Sequence, residues 1–192
     1  AAAGFVACVA MLNSLCLALS PVALVILLGY SYVKRFSEMT HFVLGAALGM
    51  APVGAWLAVT GTVEGVAAAL TLGVAVAMWT AGFDIIYACQ DVEFDRRAGL
   101  RSIPETVGVA RALGVSSACH AVAFAGFMGF WGAVDLGWAS LGAILAIDGL
   151  LVYEHRIVRP GDMTRVNTAF FTVNGLVSFA FLGGVALDNL LG

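Results

Sequence analysis

Charge is scarce in this 192-residue chain: 11% of its residues are Asp, Glu, Lys or Arg, against 61% hydrophobic and a mean hydropathy of +0.99. Soluble globular chains carry about 25% charged and about 45–50% apolar residues. The deficit excludes a soluble enzyme, a disordered chain, and a nucleic-acid binder, which needs a basic face. Metal and disulfide spacing is missing too. The four cysteines (Cys8, Cys16, Cys89, Cys119) form no CxxC. Three sit in apolar runs and Cys89 at the edge of one, so they read as small buried hydrophobes. No charged segment precedes the first apolar run, so the N-terminus does not begin as a signal peptide does. The abrupt apolar start predicts the C-terminal part of a longer protein. No internal repeat is evident, which removes support for a transporter built from inverted repeats.

What the chain does have is length without charge. Residues 1–33, 42–63, 65–83, 112–134 and 166–187 contain no Asp, Glu, Lys or Arg. About 20 apolar residues cross a bilayer as one helix, and in lipid the backbone polar groups must be satisfied within helices. The expected fold class is all-α, a polytopic transmembrane helical bundle in a single domain. Six full helices are predicted at about 15–33, 42–60, 65–90, 112–132, 137–154 and 167–188. A truncated helix at 1–12 precedes them, Asn13-Ser14 forms a turn, and Pro21 kinks the first full helix. Pairs such as Gly45 and Gly49 predict close helix packing.

The nine Lys and Arg fall in three segments: Lys34 and Arg35; Arg96, Arg97, Arg101 and Arg111; and Arg156, Arg159 and Arg165. Six crossings put all three on one side, which the positive-inside rule makes cytoplasmic. The C-terminus then lies outside.

The chemistry-bearing run is Gly82 to Asp95. If the helix continues to about residue 95, Asp84, Asp91 and Asp95 lie 7 and 11 positions apart and share one stripe about 40° wide. Tyr87 borders that stripe, Glu93 falls nearly opposite, and Asp84 lies about 10 Å deeper than Asp91. Intramembrane carboxylates are costly and face interior cavities. Asp91 and Asp95, at i and i+4, suit Mg²⁺, which takes one or two carboxylates and shares oxygens with a substrate phosphate. Arg101, Lys34 and Arg35 on the same side suit phosphate oxygens. The alternative is a solvated acidic patch paired with Arg96, Arg97 or Arg101.

These residues also carry a resemblance. YACQDVEFDRRAGLRSIP resembles the second Asp-rich motif of the UbiA-type intramembrane prenyltransferases. LGYSYVKRF and LGAALGMAPVGAWLAVTG are similar to that family's central loop and next helix, and NTAFFTVNG to its last helix. The nearest flavour is the 4-hydroxybenzoate polyprenyltransferase-like branch. The resemblance implies a nine-helix fold with a central cavity open to the bilayer, where two Asp-rich motifs hold Mg²⁺ against a polyprenyl diphosphate. It implies that Asp91 and Asp95 are the metal-diphosphate pair. Asp84 becomes the deeper acid that shapes the cavity or handles the acceptor's proton. Lys34, Arg35 and Arg101 touch the diphosphate, and Tyr30, Tyr87 and Asn174 are polar cavity positions. The implied reaction is Mg²⁺-dependent prenyl transfer to an aromatic acid of 4-hydroxybenzoate or naphthoate type in ubiquinone or menaquinone synthesis. Its place would be a bacterial inner membrane, with the site facing the cytoplasm. The family's first motif, NDxxDxxxD, and about two helices are absent from this sequence.

Two other readings stand beside it: a relative that prenylates haem, chlorophyllide or a glycerol-phosphate lipid, and a non-enzymatic transporter subunit. His41, His120 and His155, far apart in sequence, are expected in loop or packing roles. Asp148 is expected to snorkel or pair with a basic residue. Packing is the expectation for Phe170 and Phe171, while Asn174 needs a hydrogen-bond partner wherever it is buried.

Overall fold

The computed structural model describes residues 1–191. Among the described residues the chain is helical throughout, without a sheet: α1 (Ala2–Ala10), α2 (Ser14–Val33), α3 (Thr40–Thr60), α4 (Ala67–Ala88), α5 (Val92–Ala98), α6 (Ile103–Val107), α7 (Val109–Ala133), α8 (Trp138–Ile157) and α9 (Asn174–Leu191), the last entered through a π-helical segment at Thr168–Val173. Five spans are long and apolar enough to cross a membrane: Ser14–Val33, Thr40–Thr60, Ala67–Ala88, Val109–Ala133 and Thr168–Leu191. α8 matches them in length at 20 residues but carries Asp148, Glu154 and Arg156. Large side chains such as Val25, Leu28, Val59 and Phe179 are exposed on the outer faces, which is where lipid replaces water.

Local chemistry explains the helix details. Asn13 caps α2 by accepting the Cys16 N–H at 2.8 Å, and its amide donates to Leu57 O at 2.9 Å, pinning the α2 start to the end of α3. Pro21 inside α2 has no N–H for Leu17 O, and the Ser20 hydroxyl takes its place at 2.8 Å. At the π-helical entry to α9, the Asn174 amide donates to Ala169 O at 3.2 Å and Phe170 O at 3.1 Å.

α4 is the most buried span, held between α3 and α7. Its approach to α3 is backbone to backbone. A Cβ on Gly45 would collide with Ala77 O, and one on Gly49 with Gly73 O, as the small-residue pairing predicts. The core has two parts. One, nearer the basic end, joins Ile85, Ile86 and Cys89 to Ile103, Val158 and Val166. The other joins Ala75 to Phe127, Ile144, Ile147, Leu151 and Val177. The first gathers the end of α4, α6 and the α8–α9 connection at the end where the three basic segments lie.

The helix expected at about 65–90 is present, but it does not continue to residue 95. α4 stops at Ala88, residues 89–91 turn, and Asp91 precedes the short α5. Gly99 at φ 66° ends α5, and Ser102, which accepts the Glu105 N–H, starts α6. The polar stretch is therefore two short helices rather than one helix end and a loop. Of the cysteines, Cys89 and Cys119 are buried as expected, while Cys8 is exposed on α1 and Cys16 half-buried.

Candidate active site

The break after α4 decides which acids share a space. Tyr30, Ser31 and Lys34 at the end of α2, Thr40, His41 and Leu44 at the start of α3, and Asp84, Tyr87, Ala88 and Asp91 at the end of α4 line one cavity of about 300 Å³. Asp84 and Asp91 thus meet in the same hollow. Asp95 does not join them: it is fully buried on α5, and Lys34 Nζ lies 2.7 Å from its Oδ1. Apart from that ammonium, neither Asp95 oxygen has a hydrogen-bond partner. The stripe that groups Asp84, Asp91 and Asp95 on one straight helix is split because the turn at 89–91 interrupts the helix between Asp84 and Asp95.

Burial is the largest influence on Asp91 and raises its carboxyl above the usual range; Lys34 opposes this, and the charges of Asp95 and Asp84 add to it. With Lys34 paired to Asp95, no other Lys or Arg lines the cavity beside Asp84 and Asp91, so a divalent ion would meet two carboxyl groups there. The donors are all oxygen, as Mg²⁺ prefers. Among the described residues no three His, Cys, Asp or Glu side chains are grouped to hold an ion on their own. The set therefore fits an ion that completes its shell with water and phosphate oxygens, the usual manner of Mg²⁺.

The remaining predicted residues divide. Tyr30 and Tyr87 line the cavity. Arg35 is exposed, its guanidinium 5.4 Å from the Tyr32 ring centroid. Arg101 is exposed and bound to Phe36 O at 3.3 Å, while its backbone N–H donates to Lys34 O at 2.8 Å. Neither arginine is among the residues that line the cavity. Asn174 is also away from it, buried and accepting the Trp79 indole N–H at 2.8 Å. Phe170 packs against Tyr87 and Phe83, its ring centroids 4.3 and 5.4 Å from theirs. Phe171 is exposed. Asp148 is half-buried on α8.

Sequence reasoning missed His41. It is 2% exposed, and its Nδ1 lies 2.6 Å from Asp84 Oδ2. The signal was available: a histidine at the head of an apolar run, closing a cationic loop on the side of the membrane that carries the acids. His120 and His155, distant in sequence, also meet, with Nδ1 and Nε2 3.0 Å apart beside the buried Glu154.

A second cavity, apolar and about 590 Å³, lies further along α1 to α4. On α2 its lining residues Ala23, Leu19 and Cys16 stand 7, 11 and 14 positions before Tyr30. On α4, Ala77, Gly73 and Leu70 stand at the same offsets before Asp84. Those offsets keep one helix face, so α2 and α4 turn the same sides to both spaces.

Two acids, a lysine and two tyrosines thus line one cavity of an all-helical membrane bundle, and an apolar cavity lies on the same faces of α2 and α4. Residues 1–176 match the model of the UbiA prenyltransferase family, and the chain belongs to that family. It is 30% identical over 181 residues to a 4-hydroxybenzoate octaprenyltransferase of Nitrosomonas eutropha, covering 94% of this chain and 62% of that protein. It is 31% identical to a 4-hydroxybenzoate solanesyltransferase of Synechocystis, covering 92% and 58%. The apo structure of a UbiA homolog from Aeropyrum pernix superposes with a TM-score of 0.87 at 32% identity, over 97% of this chain and 69% of that one. The chain spans about three-fifths of the length of these curated relatives.

Proposed function

We propose that the protein transfers a polyprenyl group from an isoprenyl diphosphate to an aromatic acid of the 4-hydroxybenzoate type, with Mg²⁺, as a step of quinone biosynthesis. The observation that carries this reading is the meeting of Asp84, Asp91, Lys34, Tyr30 and Tyr87 in one cavity, with an apolar cavity on the same faces of α2 and α4. The activities for which these relatives are named favour the same kind of donor and acceptor. We assign the basic end to the cytoplasmic side of a bacterial inner membrane, because all nine Lys and Arg favour one side.

In this reading Asp91 holds the ion, Lys34 lies beside the diphosphate, and Asp95 keeps Lys34 in place. Bound Mg²⁺ supplies Lewis-acid stabilisation of charge on the departing diphosphate. The allylic C–O bond breaks with its electron pair leaving on diphosphate, and a ring carbon of the acceptor forms the new C–C bond. The ring proton leaves to Asp84, whose carboxylate faces the cavity. Tyr30 and Tyr87 orient the head groups, and the apolar cavity keeps water from the carbocation-like carbon.

The test is a transfer assay on the native protein in vesicles with geranyl diphosphate, 4-hydroxybenzoate and Mg²⁺. A prenylated acid is expected, lost on chelation. In Asp91→Asn the rate is expected to fall about 100-fold or more, the scale of removing a charge-stabilising group. Failure to form a prenylated product from any aromatic acid would refute the reading.

A further inference from the structure

His41 is the second residue of α3, and both of its ring nitrogens are engaged. Nδ1 faces the Asp84 carboxylate at 2.6 Å. Nε2 accepts the backbone N–H of Ile103, the first residue of α6, at 3.4 Å. A neutral imidazole carries one donor and one acceptor nitrogen. Here the backbone N–H must be met by a bare Nε2, so the proton sits on Nδ1 and is donated to Asp84. A proton on Nε2 would set two donors against each other at a site where His41 is 2% and Ile103 is 7% exposed. It would also leave a buried N–H without an acceptor. Among the described residues no other hydrogen bond to the Asp84 carboxylate is formed. The contact fixes Oδ2 and leaves Oδ1 free for the cavity that Asp84 lines.

We propose that His41 is the positioning residue of this site. It holds the Asp84 carboxylate in one orientation and ties it, through Ile103, to the α5–α6 segment that follows Asp91. The inference rests on the functional reading above, in which Asp84 takes the acceptor's proton. Three elements meet at one imidazole: α3 supplies the ring, α4 the acid and α6 the backbone donor. A displacement of the α5–α6 segment would therefore move the acid, and a carboxylate turned by one rotamer no longer faces the ring proton.

The donor-and-acceptor pattern makes the test specific. Glutamine also carries one amide donor group and one acceptor oxygen at comparable reach; leucine has similar bulk and neither. In the vesicle assay, His41→Leu is expected to lower kcat about 10- to 100-fold, the range for removing a group that orients a functional residue. The KM for geranyl diphosphate is expected to stay within about twofold, because the donor's head group does not touch Asp84 in this reading. His41→Gln is expected to restore kcat to within about threefold of wild type. A purely packing role would make glutamine no better than leucine. If His41→Leu does not fold, solid-state NMR of the wild-type protein labelled with ¹⁵N-histidine decides. The His41 signal, assigned by its loss in His41→Gln, is expected to show a protonated Nδ1 and a bare Nε2. The proposal is overturned alone if wild type transfers and His41→Leu matches it, or if His41 carries its proton on Nε2. Absence of transfer in wild type overturns the functional reading, and the role of His41 falls with it.

Discussion

Two histidine–carboxylate clusters lie in this bundle, and they are built differently. Where α3 begins and α4 ends, His41 is buried but Asp84 is not: its side chain is 24% exposed and opens into a cavity shared with Asp91 and two tyrosines. Between α7 and α8, His120, His155 and Glu154 are also close, with His120 Nδ1 3.9 Å from Glu154 Oε2. There the carboxylate is fully buried, neither of its oxygens has a hydrogen-bond partner, and the His120 ring is pressed against Gly82, where a Cβ would overlap it. The groups are of the same kind, but the first cluster's acid lines a cavity, while the second's, among the described residues, is enclosed. Access, rather than the presence of buried polar groups, separates a site from internal packing in this fold.

Neutralising one acid from each cluster separates the two most directly. Asp84→Asn is expected to lower the transfer rate at least about 100-fold. Glu154→Gln is expected to leave it within about threefold, because that side chain does not line the cavity and the amide keeps its shape. Equal losses in the vesicle assay would erase the distinction.

A next-smaller effect concerns Lys34, which lies between the cavity and the buried Asp95. Lys34→Met leaves Asp95 as an unpaired buried charge and is expected to destabilise the protein by about 3 kcal/mol in thermal unfolding. The double variant Lys34→Met with Asp95→Leu is expected to recover most of that stability but not the transfer rate. Recovery of both would place Lys34 in the framework alone. Gly49→Ala, whose Cβ would collide with Gly73 O and lie 2.9 Å from Ala77 Cβ, should cost about 1–3 kcal/mol by parting α3 from α4. Its readout is the unfolding temperature, with the Lys34 variants as reference. Asn13→Ala, far from both clusters, removes a helix cap and is expected to cost about 1 kcal/mol without changing turnover.

The fold was legible because its dominant constraint is simple. Long uncharged runs must be helices in lipid, and the glycines at 45 and 49 announce where two of them touch. Three basic segments point to one end of the bundle. The site was legible in part. Asp84 and Asp91 share a cavity as their spacing suggests, but the stripe argument assumes a straight helix, and the turn at residues 89–91 sends Asp95 under Lys34. A change of axis depends on how residues 89–91 pack, with Cys89 set against Ile103 and Val158, and no periodicity in the run itself encodes that packing. Asn174 drew notice as an amide in an apolar helix. Its partners turned out to be the carbonyls of the π-helical turn and Trp79, a demand created by backbone geometry. His41 escaped because a single histidine acquires meaning only when an acid 43 positions away is brought to it.

The proposed function requires that Asp91, with Lys34 beside it, make a cation-dependent seat for a diphosphate. Direct binding tests this without relying on an acceptor: titrate geranyl diphosphate into the vesicle-embedded protein with Mg²⁺, then with chelator, and repeat with Asp91→Asn and Glu154→Gln. The expected result is ion-dependent binding that Glu154→Gln retains and Asp91→Asn weakens at least about tenfold. Binding that persists undiminished in chelator, or in Asp91→Asn, would contradict it.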